Sequence, residues 1–205
     1  KDGSRRNLSE QHLISCNTHN WGCSGGWYAF GYYIGAELDV NASRGVVYAQ
    51  SFPYQAADVA CNAPYQHHEQ LMAWHYVTPD AQRVGLDAVA DLKHAIHTHG
   101  PVATTVCVGD AFSQYRGGIF STDERNHCAD AHINHGVVIV GWDDHTSTWI
   151  VRNSWGTQWG EQGYMRIRYG TSNIGYLSAY VVYEPNTPTE LDSMQHKTYL
   201  PLVLR

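Results

Sequence analysis

An α+β fold, mixed in its first half and strand-rich in its second, follows from three features of this 205-residue sequence. Residues 86–99, Leu-Asp-Ala-Val-Ala-Asp-Leu-Lys-His-Ala-Ile-His-Thr-His, space their apolar side chains as a helix does, and Gly100-Pro101 stops the run. From Val102 onward, runs rich in β-branched and aromatic residues recur at strand length. Among them, Val137–Trp142 and Trp149–Val151 flank Asp143-Asp144, the pattern of a β-hairpin. A hydrophobic content of 43% is that of a globular chain.

Taken in order, the elements begin with a short helix capped by Asn7 or Ser9, whose side-chain oxygens can accept from the first-turn N–H groups. A glycine loop at Gly22–Gly26 follows, then a helix through Trp27 to Leu38. After Val46-Val47-Tyr48 and Phe52-Pro53-Tyr54 the chain reads as irregular up to the helix of residues 86–99. Strands are expected at 102–108, 136–142, 149–152, 164–169 and 179–183. These elements divide the chain into residues 1–95, 96–183 and a polar, Pro- and Thr-containing tail at 184–205 that reads as a linker. The tail ends in an apolar stretch, Thr198–Arg205, that is too short to span a membrane.

Composition excludes several classes. The net charge is −6 and the basic residues are scattered, which argues against a nucleic-acid surface. No apolar run approaches the roughly 20 residues needed to cross a bilayer. Five cysteines, an odd number, fit an oxidising, extracellular or cell-surface compartment with one partner outside the sequence. The first residue is Lys1 and no signal peptide precedes it, so the expectation is a chain that starts inside a longer product or is a processed form.

The chemistry centres on His135 and Asn153. A hairpin turning at Asp143-Asp144 puts both at one end of the ladder, where opposed side chains sit roughly 5 Å apart. An imidazole held by a side-chain amide is the base and orienter of a nucleophilic site. Asn fixes the ring without adding a full negative charge, which suits a thiolate–imidazolium pair better than a hydroxyl nucleophile. Trp155 and Trp159 stand next in sequence, placed to cover the pair and exclude water, although ordinary core packing also accounts for such residues.

The motifs around this pair give the chain a family likeness. Leu8-Ser-Glu-Gln-His-Leu-Ile-Ser-Cys16, Gly22-Cys-Ser-Gly-Gly26, Tyr115-Arg-Gly-Gly-Ile-Phe120, the His135 segment, and Asn153-Ser-Trp-Gly with Gly156-Thr-Gln-Trp-Gly-Glu-Gln-Gly-Tyr164 occur in register from about Asn7 to Tyr183. The chain resembles the papain-like cysteine proteases. The resemblance implies a two-lobed fold, a helical left lobe present in part and a right lobe built as an antiparallel β-barrel. It implies peptide-bond hydrolysis through an acyl-thioester, with His135 and Asn153 catalytic and Trp155 and Trp159 supporting them. Substrate would lie on Gly25, Gly26 and Trp27, with Thr105, Ile133 and Asn134 near the same pocket. No cofactor and no metal are implied, and the partner is a peptide or protein substrate.

The resemblance also implies an absence. The family's nucleophilic Cys and the Gln before it precede the Ser-Glu-Gln segment, and the Cys-Gly-Ser-Cys-Trp signature occurs nowhere here. The chain is therefore expected to be an incomplete catalytic domain, inert alone. A missing N-terminal segment would supply both the nucleophile and a disulfide partner for Cys23. A cysteine beside a glycine turn can be a reactive thiol or a half-cystine, and the half-cystine reading is preferred for Cys23. The other four cysteines allow three connectivities. The resemblance suggests Cys16 with Cys61, and Cys107 with Cys128 is favoured because no cysteine near Asn173–Ser178 offers the family's other bridge.

Three other readings are open to these residues. A metal cluster of His127, Cys128, His132 and His135 fails because these residues fall in a loop and a strand rather than at helical spacing. His94, His97 and His99 suit a helix C-terminus, where the dipole favours cations. A chymotrypsin-like reading of Gly22–Gly26 fails on order, since Ser24 precedes His135. The remaining alternative is a papain-like domain that binds peptides without cleaving them.

Overall fold

The computed structural model describes residues 6–183, apart from 44, 63, 69, 70, 79, 81–87 and 129–132. The expected tail at 184–205, residues 86–87 of the expected helix, and His132 lie outside the described residues. The chain forms the α+β fold expected of it, in two compact units. These divide between Trp74 and His75, with Tyr180 closing the second unit. That division falls earlier than residue 95, because the helix at Val89–His99 packs on strands of the second unit.

The first unit has little regular structure and is tied by side chains. Helix α1 spans Glu10–Cys16, with Ser9 as its N-cap. Ser9 Oγ accepts from His12 N (2.9 Å) and donates to Phe52 O (2.6 Å). Gln11 is fully buried, and its amide pins the following loop: Nε2 donates to Ala57 O (2.9 Å), and Oε1 accepts from Gln55 N (2.8 Å). The Ser-Glu-Gln motif thus has a structural use, one cap and one strut. A disulfide between Cys16 and Cys61 closes the same region and packs against Val47 and Phe52. Helix α2 is only Phe30–Ile34, much shorter than the expected 27–38. It stops where Gly35 turns left-handed at φ 74°, a conformation that costs a side-chain-bearing residue.

Seven strands form one sheet in the order β1-β7-β2-β4-β5-β6-β3. They are β1 Ala73–Tyr76, β2 Val102–Val106, β3 Ile119–Phe120, β4 His135–Asp143, β5 Thr148–Arg152, β6 Tyr164–Arg168 and β7 Tyr176–Val182. The β2–β4, β2–β7, β4–β5 and β5–β6 pairs are antiparallel, and β3 pairs with β6 in parallel. Helix α3, Val89–His99, buries Leu92, Ala95 and Ile96 and ends at Gly100, whose N–H donates to Ile96 O. The core beneath holds Val102, Val106, Phe112, Ile139, Trp149, Val151, Met165 and Ile167.

One loop of this unit is organised by a buried carboxylate that the sequence reading passed over. Glu124 is 3% exposed and accepts from Gly109 N (2.9 Å), Ala111 N (2.8 Å) and Phe112 N (3.0 Å). These are the unsatisfied N–H groups at the start of helix α4, Asp110–Ser113, which need an acceptor once buried. A disulfide between Cys107 and Cys128 spans the same loop. Its two ends are joined through α4 and a 3-10 turn at Arg125–His127 rather than through paired hairpin arms. Replacing Glu124 by Ala leaves three buried donors without their acceptor. It should lower unfolding free energy by about 2–4 kcal/mol in a urea titration, with Glu124→Gln intermediate; a loss below about 0.5 kcal/mol for both would contradict this role.

Candidate active site

His135 opens β4 and Asn153 follows β5 directly, but not by the register the sequence suggested. The turn occupies residues 144–147, with Asp143 opposite Thr148 and Trp142 opposite Trp149. An irregularity between Ile139 and Gly141 then shifts the ladder, whose last pair is Val138 with Arg152. His135 and Asn153 are therefore not a cross-strand pair. The first stretch of β4 pairs instead with β2, His135 standing opposite Val106, while Asn153 N–H donates to Gly163 O (2.9 Å). The two side chains converge from beyond the ladder.

Their contact is well defined. His135 Nε2 lies 2.9 Å from Asn153 Oδ1, with the two residues 8% and 7% exposed. Ser154 N lies 2.7 Å from the same Asn153 atom. A backbone N–H can only donate, so that atom is the amide oxygen, and the imidazole must donate to it through Nε2–H. A neutral ring bonded in this way keeps its lone pair on Nδ1. Asn153 Nδ2 and Ser154 Oγ are buried without a hydrogen-bond partner among the described residues.

Aromatic rings wall the pair. Trp155 lies over the His135 ring at a centroid distance of 4.8 Å, and Trp159 meets Trp155 edge-on at 5.3 Å. Phe112 stacks on Trp159 at 5.6 Å and meets His135 at 6.5 Å. Trp159 Nε1–H donates to Ser113 O (3.0 Å), which fixes its ring against α4. Trp155 and Trp159 thus pack around His135, and Phe112 is a further residue of this aromatic wall, its N–H donating to Glu124.

The other expected site residues are placed as follows. Thr105 is buried in β2, its hydroxyl donating to Tyr176 O (2.7 Å). Asn134 clasps the Val108 backbone, donating to its carbonyl (2.9 Å) and accepting from its N–H (2.8 Å). Both side chains are thus engaged in holding the loop beside His135, while Ile133 is half-buried. In the first unit, Gly22 and Gly25 form a two-way backbone bridge (3.1 and 3.0 Å). Gly25 has φ 143° with open space where a Cβ would stand, and Trp27 is 41% exposed. Cys23 is exposed in this turn, outside both disulfides, its N–H donating to Asp58 Oδ1 (2.7 Å).

A buried imidazole carrying its proton on the nitrogen that faces a neutral amide has the arrangement that a base and its orienter need in covalent catalysis. The comparisons with known proteins specify the group. The model of the papain family of cysteine proteases matches residues 1–184, and the chain belongs to that family. A cathepsin L-like protein of Caenorhabditis elegans is 33% identical over 84% of this chain and 49% of its own length. Fruit bromelain of Ananas comosus is 32% identical over 84% of this chain and 45% of its own. The chain thus spans about half the length of these two relatives. The solved structure of the bromelain protease from Ananas comosus with the E64 inhibitor superposes with a TM-score of 0.70 at 27% identity, covering 90% of this chain and 81% of that one.

Burial holds the His135 imidazole below its ordinary value of 6.5, against a smaller upward pull from the Asn153 hydrogen bond. The neutral ring is thus the form the fold prefers. An unfolded chain binds this proton more readily, so His135 contributes stability that is fully present above about pH 6.5 and is lost as pH falls through the depressed folded value. A histidine-resolved NMR titration should show His135 titrating below that ordinary value, and lower still in Asn153→Ala. A midpoint at or above it in both proteins would contradict the burial argument.

Proposed function

We propose that the protein to which this chain belongs is a cysteine endopeptidase that hydrolyses peptide bonds through an acyl-thioester. The observation that carries the reading is the tautomer forced on His135, which leaves Nδ1 free to exchange a proton while a neutral amide holds the other nitrogen. In the reaction, Nδ1 takes the proton of a cysteine thiol. The thiolate attacks the peptide carbonyl, and the imidazolium returns the proton to the departing amine. Water, deprotonated by the same nitrogen, then attacks the thioester and releases the acid and the thiol. A thiolate beside the ring stabilises its protonated form, opposing the burial that keeps it neutral here. Asn153 accommodates either state as an acceptor, and Trp155 and Trp159 keep water from that bond.

The nucleophile in this reading is a cysteine outside these 205 residues. Four cysteines are in disulfides. Cys23 sits in an exposed glycine turn seven residues before α2 begins at Phe30, not at the start of that helix. Gly25 and Gly26 are assigned to an extended substrate backbone and Trp27 to a substrate side chain. Ile133 is assigned to the substrate pocket, with Thr105 and Asn134 shaping it from behind. The two disulfides support secretion or another oxidising compartment. Among the described residues no helix is long and apolar enough to cross a membrane.

The 205-residue chain should neither hydrolyse a fluorogenic peptide nor react at Cys23 with an epoxide thiol inhibitor. The protein extended by the segment encoded upstream should do both, labelling at one new cysteine. In that longer protein His135→Ala should reduce kcat/KM by about 10³-fold or more. Asn153→Ala should cost about 10²-fold, because the base survives and only its orientation is released. Turnover by the 205 residues that disappears in Cys23→Ser would overturn the assignment. A Ser or Gly at the upstream nucleophile position would make the parent a peptide-binding module.

A further inference from the structure

A second polar cluster, in the first unit, plays no part in this chemistry. His12 on α1, Asp39 beyond α2 and His67 in the extended segment before β1 bring two imidazoles onto one carboxylate oxygen. His12 Nε2 lies 3.0 Å from Asp39 Oδ2, and His67 Nε2 lies 3.2 Å from the same oxygen. His12 and Asp39 are 3% and 4% exposed. The carboxylate is aimed, since its other oxygen accepts from Asn41 N (2.8 Å) and Ser43 N (2.9 Å).

The His67 ring is aimed as well. Its Nδ1 lies 3.0 Å from Tyr65 O, and a carbonyl can only accept, so Nδ1 carries the hydrogen. Neutral His67 therefore turns the lone pair of Nε2 towards Asp39. That nitrogen is buried and makes no hydrogen bond, close as it is to Oδ2. A lone pair held against a carboxylate oxygen in a buried site is repulsive unless a positive charge lies between them. A proton on Nε2 would call for an aligned hydrogen bond to Oδ2, which the geometry does not provide.

A metal ion meets the same need without that alignment. Zinc sits about 2.0–2.1 Å from nitrogen and oxygen ligands at tetrahedral angles, so ligand atoms in one shell stand about 3.3 Å apart. The two nitrogen–oxygen separations are 3.0 and 3.2 Å, and all three ligand atoms lie within 4.8 Å of one another. Two imidazoles and one carboxylate suit zinc-type ions better than calcium or magnesium, which prefer oxygen alone. We propose that His12 Nε2, Asp39 Oδ2 and His67 Nε2 bind a divalent transition-metal ion of the zinc type. The ion's role is structural. It joins α1, the turn after α2 and the segment at His67, which the Cys16–Cys61 disulfide borders: Val40 N donates to Cys16 O (2.9 Å) and Asn41 Nδ2 to Cys61 Sγ (3.4 Å).

The test is a titration of the chelator-treated chain with Co²⁺, followed by Zn²⁺. One equivalent of Co²⁺ should bind with visible d–d absorption and be displaced by Zn²⁺, and Zn²⁺ should raise Tm by several degrees. In the unmodified protein, ¹⁵N spectra should show Zn²⁺ moving the Nε2 signals of His12 and His67. His67→Gln, at the more exposed edge of the cluster, and Asp39→Asn should each weaken binding at least tenfold. His97→Gln, on the exposed face of α3, should leave it unchanged. Overturning results are a failure to bind one equivalent, Nε2 signals that do not move, or a His67→Gln chain that binds as tightly as the parent.

Discussion

One amide oxygen organises the second unit's chemistry. Asn153 Oδ1 accepts from the Ser154 backbone and from His135 Nε2 at once, and the first bond determines the sense of the second. Because a backbone N–H has one role only, the Asn cannot rotate its amide to offer a donor to the ring. The ring's protonation pattern is thereby set by the main chain. Around this point the packing is aromatic and buried, which strengthens the polar contact and penalises any arrangement that leaves it unmade.

The two units achieve rigidity by different means. In the second, strand ladders satisfy the backbone and a single apolar cluster fills the interior. The segment between Cys107 and Cys128 is held by Glu124 and the disulfide that closes it. Through α4 these set Phe112 against the wall of the His135 site. Among its described residues the first unit has two short helices, and its loops are satisfied with side chains. Gln11, Asp39 and Asp58 each bind backbone groups far along the chain or around a turn. Gln11 and Asp39 are buried and tolerate little change, and the metal site proposed at His12, Asp39 and His67 belongs to the same way of building.

Periodic signals were legible in the sequence, and pairings between distant residues were not. The helix stopped by Gly100 and the strands after Val102 could be read because apolar spacing and a glycine stop are local. The convergence of His135 and Asn153 was anticipated, yet by the wrong register. A hairpin midpoint assumes an unbroken ladder, and the irregularity between Ile139 and Gly141 is invisible to periodicity. The helix expected through Leu38 ignored Gly35, a stop signal in plain view. Glu124 is one of two adjacent acids, Asp123-Glu124, in a mostly polar loop, and nothing local singles it out, since its three N–H partners lie 12 to 15 residues away. Nothing at short spacing marks the proposed metal site. His12 and Asp39, 27 residues apart, meet only after folding.

Which nitrogen of His135 bears the proton in the neutral ring decides whether Asn153 can orient it as a base. Long-range ¹H–¹⁵N correlation spectra of the folded chain, taken well above pH 6.5, report the tautomer of each histidine. Proton transfer through Nδ1 requires His135 to be the Nε2–H tautomer, with Nδ1 showing the shift of an unprotonated nitrogen. A neutral His135 found with its proton on Nδ1 would contradict the assignment of Asn153 as its orienter, and with it the base proposed for peptide hydrolysis.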